Sequence, residues 1–302
     1  MADILQKLAD YARIRTEEAK KKIPLQQIRE EAERLAAEDT SQFRFEKALS
    51  GPDISFICEI KQASPSKGQI WTPAQGDTCT SDCTSDRHLF KTSVEVCTSD
   101  RHLFNRHLFK FPYLEIAREY EAAGAECISV LTEPKWFKGE GEFLRRITRE
   151  VSTPCIRKDF TVDEYMIYEA KVLGASAVLL ICSILDEDTL SSYIRIADSL
   201  GLSSLVEAHD SEEIRMAADA GARMIGVNNR NLKDFTVDVT NSGRLRSLVP
   251  EGVLFVAESG IRTAQDVQLL REIRTDACLV GETLMRAEDK SAMLRELRGL
   301  NG

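Results

Sequence analysis

The chain has 302 residues, of which 43% are apolar and 29% charged, and a formal net charge of −9. This composition suits a soluble globular enzyme. No stretch approaches 18 consecutive apolar residues, and the acidic balance disfavours a phosphate-backbone surface, so neither a membrane nor a nucleic-acid partner is expected. The amphipathic, charged N-terminus lacks the apolar core of a signal peptide, which implies a cytoplasmic protein.

In chain order, residues 1–50 read as an N-terminal helical extension. Ile4, Leu8 and Tyr11 share one helical face, and a second helix, LQQIREEAERLA, follows Pro24. From residue 53 onward, short β-rich runs alternate with amphipathic helix-length segments, the pattern of parallel βαβ units. The expected strands are DISFICEI (53–60), CISVL (127–131), PCIRK (154–158), AVLLIC (177–182), SSLVEAH (203–209), MIGVN (224–228), LFVAES (254–259) and ACLVG (277–281). Gly124, Gly174 and Gly221, in EAAGA, KVLGA and ADAGA, are expected to end helices as left-handed glycines. Thr161 with Glu164, and Thr263 with Asp266, stand at capping-box spacing. Eight repeats favour a single α/β domain over residues 1–302 closed as a (β/α)8 TIM barrel. The alternative, a doubly wound open sheet, lacks a GxGxxG after its first strand.

The first βα unit is interrupted by a repetitive insertion, residues 71–110. CTSDRHLF occurs at 83–90 and 97–104, CTSD also at 79–82, and RHLF again at 106–109. Cys79, Cys83, Cys97, His88, His102 and His107 are all conceivable zinc ligands. Their spacing matches no familiar finger, and duplication of one short unit multiplies Cys and His without selection for binding. A loop extension without metal is therefore expected, because closure entropy grows slowly with loop length. Cys58, Cys127, Cys155, Cys182 and Cys278 lie inside strand runs and read as buried free thiols.

A barrel of this type carries its site at the C-terminal strand ends, so polar residues that end apolar runs are the first candidates. These are Glu59 and Lys61 on strand one, Lys158 on strand three, Glu207 on strand five, Asn228 on strand six, and Glu258 with Ser259 on strand seven. Each alone could be an ion-paired layer residue inside the barrel. Together, two lysines and three carboxylates at one end would carry a large desolvation cost unless function or mutual pairing offsets it. Gly260, Gly281 and Arg230 follow strands seven, eight and six, where such barrels hold phosphate.

The runs EIK-x-x-SPS (59–66), LTE-x-x-WFKG (131–139), IRKDF (156–160), VNNRNL (227–232), ESGI (258–261) and VGETLM (280–285) resemble indole-3-glycerol-phosphate synthases in order and spacing. The resemblance spans nearly all of the chain outside the insertion. It implies a cofactor-free carboxy-lyase of tryptophan biosynthesis that cyclises 1-(2-carboxyphenylamino)-1-deoxyribulose 5-phosphate to indole-3-glycerol phosphate, with loss of carbon dioxide and water.

By the same resemblance, Lys158 is the general acid at the ribulose carbonyl, its pKa lowered toward neutrality by burial and nearby cations. Lys61 holds the anthranilate carboxylate and helps eliminate the hydroxyl, and Glu207 is the acid/base of the dehydration. Glu59, Asn228 and Ser259 orient these groups, with Glu258 beside them. Phe137 and Phe160 line the anthranilate slot, and Leu232 joins the substrate contacts. Ser64, Arg230, Gly260 and Gly281 take the phosphate. The only expected partner is this small phosphorylated substrate, and the protein is expected to be a monomer. A sugar-phosphate isomerase on the same barrel and a barrel impaired by its insertion are the competing readings.

Overall fold

The computed structural model describes residues 4–72, 111–231 and 235–300. Within them, eight parallel strands close into a barrel: β1 (Ser55–Ile60), β2 (Cys127–Leu131), β3 (Cys155–Lys158), β4 (Ala177–Ile181), β5 (Ser203–Ala208), β6 (Met224–Asn228), β7 (Leu254–Glu258) and β8 (Ala277–Val280). Neighbours in sequence are neighbours in the sheet, and β8 pairs back onto β1. Each strand lies within two residues of its sequence-read span.

Three helices precede the barrel: α1 (Ile4–Lys22), α2 (Leu25–Glu38) and α3 (Arg44–Leu49). The crossovers carry α4 (Tyr113–Ala122), α5 (Gly141–Glu150), α6 (Glu164–Val172), α7 (Glu187–Ser199), α8 (Ser211–Asp219), α9 (Thr240–Leu245) and α10 (Ala264–Glu272). After β8 come α11 (Glu282–Arg286) and α12 (Lys290–Arg298). No helix among the described residues is long and apolar enough to cross a membrane.

The helix punctuation is mostly as read. Gly124, Gly174 and Gly221 have φ of 79°, 86° and 89°, the left-handed conformation that a side chain would resist. Thr263 and Asp266 form a reciprocal capping box on α10. Thr161 does not cap α6: the helix begins two residues later than that pairing needs, and Asp163 accepts from Tyr165 N instead, at 2.9 Å. After β8 the run ETLMRAED (282–289) divides: α11 ends at Arg286, Ala287 turns extended, and Asp289 caps α12.

The two-residue period of a strand sorts the barrel interior into layers. Ile57, Ile156, Leu205, Met224, Val256 and Leu279 meet in an apolar interior cluster, which Phe45 and Leu49 of α3 join. One pleat further along the same inward face come Glu59, Lys158, Glu207, Glu258 and Gly281. The interior is thus oily below and charged at the C-terminal mouth.

The N-terminal extension is tied to that mouth. Leu5, Leu8, Ala9 and Ala12 form the buried stripe of α1, with Ile4 and Tyr11 half-buried at its edges. Arg15 makes a two-pronged pair with Asp159, at 2.7 and 3.1 Å, and Asp159 also accepts from Thr132 Oγ1 at 2.7 Å. Burial would push the Asp159 carboxyl up, but Arg15 and Arg157 hold it below the ordinary carboxylate range. Lys20 binds Asp163 at 2.7 Å, and Tyr11 stands edge-on to Trp136 at 5.5 Å between ring centres.

Cys58, Cys127, Cys155, Cys182 and Cys278 are buried free thiols. The repeats and possible zinc ligands of the insertion lie outside the described residues. Its edges are packed: Trp71, its first residue, meets Phe111, the residue after it, edge-on at 5.5 Å, and both lie against the core.

Replacing Arg15 with Ala strands the fully buried Asp159 carboxylate without its main counter-ion. Loss of one partner of a buried pair costs about 3–5 kcal/mol. Urea unfolding curves of the two proteins should show a destabilisation of that order, and Arg15→Lys a smaller one.

Candidate active site

A cavity of about 380 Å³ opens at the C-terminal mouth of the barrel. Its lining includes Glu59, Lys61, Ser64, Phe137, Lys158, Phe160, Glu207, Asn228, Arg230, Glu258, Ser259, Gly260 and Gly281. Of the catalytic and substrate-binding residues that the resemblance implies, Leu232 alone lies outside the described residues.

At its floor, Lys158 Nζ donates to Glu258 Oε2 at 2.8 Å and Glu207 Oε2 at 3.1 Å. Asn228 Nδ2 donates to the other Glu207 oxygen at 3.1 Å, while its Oδ1 accepts from the Arg230 backbone N–H at 3.0 Å. Lys61 pairs with Glu59 on the far wall.

The expectation of a neutral-leaning Lys158 is corrected here. Burial pushes the ammonium down, but Glu258, Glu207 and Glu59 surround it and hold it well above the ordinary lysine value. The charges that act on it most strongly are all carboxylates, so the lowering expected from nearby positive charge is not met. The carboxylates divide. Burial pushes Glu258 up to about 7, with Lys158 opposing and Glu207 adding to the rise. Glu207 ends below the ordinary range because Lys158, His209 and the Asn228 amide outweigh its burial. This is the usual outcome for like charges that share one counter-ion.

Two glycines exist because of these carboxylates. A Cβ on Gly226 would fall 2.3 Å from Glu258 Oε1, and one on Gly281 would fall 2.2 Å from Glu59 Oε2 and 3.0 Å from Lys61 Nζ. Gly281 therefore has a packing reason independent of any phosphate. Ser259 and Gly260 both adopt left-handed φ, 66° and 87°, and Ser259 carries backbone strain of the kind found at functional sites.

Phe137 and Phe160 flank one side of the cavity with ring centres 6.1 Å apart. Phe137 is held by a residue that sequence reasoning passed over: buried Glu133 accepts the backbone N–H groups of Lys135, Trp136 and Phe137 at 2.9, 2.7 and 2.9 Å. A glutamate two residues past a strand end, just before an aromatic pair, was the available signal.

The opposite side is basic. Burial and Arg262 depress the Arg230 guanidinium below its ordinary value despite Glu282 and Glu59. Lys67, Arg262 and Arg286 also line the cavity and were not singled out. One wall is thus aromatic and the other cationic, with an acid–lysine floor between them, a shape that fits a flat ring at one end of a molecule and an anion at the other.

The chain matches the family model "Indole-3-glycerol phosphate synthase" over residues 108–297. It is 49% identical to the indole-3-glycerol phosphate synthase of Ruminiclostridium cellulolyticum over 296 residues, 98% of this chain and 99% of that one. It is 47% identical to the synthase of Leuconostoc mesenteroides over 258 residues, 85% of each. Among solved structures, 3-hexulose-6-phosphate synthase from Salmonella typhimurium shares the barrel, with a TM-score of 0.54 at 17% identity over 62% of this chain and 90% of that one. Long matches at nearly half identity, joined to a mouth built from the same motifs, place this chain in the indole-3-glycerol phosphate synthase family.

Proposed function

We propose that the mouth of this barrel closes the indole ring of 1-(2-carboxyphenylamino)-1-deoxyribulose 5-phosphate and expels carbon dioxide and water. The observation that carries the reading is Lys158 held between Glu207 and Glu258, midway between an aromatic pair and a cationic wall. Phe137 and Phe160 take the anthranilate ring, and Arg230, with Ser64 and Gly260, takes the phosphate. The site acts first by holding the ring carbon against the ribulose carbonyl.

In ring closure, the ring carbon bearing the carboxylate attacks the keto carbon, and Lys158 donates a proton to the carbonyl oxygen. Three carboxylates keep Lys158 protonated, so it binds the ground-state carbonyl as a charged donor. The proton moves only when that oxygen becomes alkoxide-like and more basic than the amine. Loss of carbon dioxide returns its bonding pair to the ring and restores aromaticity. The hydroxyl then leaves as water with a proton from Lys61, while Glu207 removes a proton from the neighbouring methylene. Two protons are donated and one is abstracted, so each turnover of the ionised substrate takes up one proton. Glu59, Asn228 and Ser259 orient these groups.

The reading is tested by following indole-3-glycerol phosphate fluorescence with purified protein. Lys158→Ala should lower kcat by about 100-fold or more, the usual contribution of a positioned acid, in protein whose circular dichroism spectrum shows it folded, although loss of the counter-ion of two buried carboxylates lowers its melting temperature. Near-normal turnover would remove Lys158 from the chemistry.

Arg230→Ala should instead raise KM about tenfold or more, the weight of a charge-assisted phosphate contact, with a smaller effect on kcat. Titration of the product into the variant is the direct check.

Glu258 gives a stability prediction. Its folded pKa, about 7, lies above its ordinary 4.5. Its contribution is therefore full below the ordinary value and lost as pH rises through about 7. Glu258→Gln cannot ionise, so its stability relative to the parent should improve as pH is raised across that window. Parallel melting curves at several pH values measure the difference.

A further inference from the structure

His209 stands just past the end of β5 and is the only histidine outside the repetitive insertion. Its ring is placed by contacts on both sides. Nδ1 lies 3.0 Å from Glu213 Oε2 and 3.3 Å from Ser183 Oγ, and its backbone N–H donates to Glu213 at 2.7 Å. Ser183 donates in turn to the other Glu213 oxygen. Nε2 is buried, makes no hydrogen bond, and lies 3.5 Å from Glu207 Oε1, the oxygen that already accepts from Asn228.

We propose that His209 is the positioning residue of Glu207: its imidazolium presents Nε2–H to the carboxylate and keeps Glu207 turned into the substrate cavity as a base. The proposal rests on the dehydration role given to Glu207 above. A neutral ring whose Nδ1 proton is held by Glu213 would turn a lone pair toward Glu207 Oε1, and the carboxylate would lose its alignment.

The surrounding charges favour the imidazolium. Glu207 faces the ring from its own strand and Glu213 from α8, and Glu258 on β7 acts from further away. Burial opposes them, and the ring still ends above its ordinary 6.5. Lys158, shared by Glu207 and Glu258, is the nearby positive charge, and Asp210 caps α8 beside the ring. His209, Asp210 and Glu213 also line a second cavity of about 650 Å³, which meets the substrate cavity at Leu5, Asn228 and Arg230.

The test compares the full-length parent with His209→Gln and His209→Phe. The parent should show an alkaline limb in kcat, falling as the imidazolium is lost, whereas Lys158 titrates too high to produce it. His209→Gln keeps an amide donor that does not titrate, so the limb should flatten while kcat at neutral pH falls only a few-fold. His209→Phe should lower kcat about tenfold or more at every pH with KM changed less than about twofold. An unchanged limb in His209→Gln, or a loss in His209→Phe confined to KM or melting temperature, would overturn the proposal.

A second measurement is independent of turnover. The His209 ring is titrated by NMR in the parent and in Glu207→Gln, with its signal identified by its absence in His209→Gln. Removal of the carboxylate charge should lower the midpoint by about half a unit or more. An unchanged midpoint would overturn the proposal whether or not the protein makes indole-3-glycerol phosphate, whereas absence of product from the parent would count against the reading of the reaction.

Discussion

Several ionisable groups end the inward face of one barrel, and water cannot solvate them all. Glu59, Glu207 and Glu258 are each almost completely buried, with Lys61, Lys158 and, beside Glu207, His209 to offset their charge. Burial and the Glu207 charge raise the Glu258 carboxyl to about 7, so it exchanges its proton near neutral pH. The glycines at 226 and 281 follow from the same crowding, since a methyl at either would occupy a carboxylate oxygen's place. Asn228 completes the set by orienting Glu207 and fixing the Arg230 backbone together.

This arrangement gives the lysine a different chemical character from a free, lowered amine. A permanently protonated Lys158 can polarise a carbonyl but surrenders its proton only to a strongly basic oxygen, which biases its action toward the transition state. The layer beneath it is apolar from Ile57 to Leu279, so the charged layer stands on a packed base that fixes its geometry.

Much of this was legible in the sequence because the period of a buried parallel strand is short and its end is marked. On the inward face of a run such as CIRK or LVEA, apolar Ile156 or Leu205 is followed at the next inward position by charged Lys158 or Glu207, and that exception is the functional residue. Glu59, Lys158, Glu207 and Glu258 were found in that way. What escaped were relations between distant segments or within irregular loops. Asp163, rather than Thr161, caps α6, a choice set by a two-residue shift of the helix start. Arg15 meets Asp159 across 144 positions, and no local pattern in α1 announces it. Glu133 acts through its loop's backbone amides, and His209 looked like an ordinary strand end until its two carboxylate neighbours were placed. The lowered Lys158 pKa was misjudged because the spacing of carboxylates along the chain does not reveal that they converge on one ammonium.

The long reach between Arg15 and Asp159 has a consequence for how the protein is born. The first helix leaves the ribosome well before the strand that anchors it. At about 5–20 residues per second it waits roughly 7–30 s for its partner. During that interval the stripe of Leu5, Leu8, Ala9 and Ala12 has no barrel to cover it. Docking of α1 is therefore a late closing event that must follow emergence of β3, and any nascent chain halted before residue 159 presents a sticky amphipathic N-terminus to whatever surrounds it.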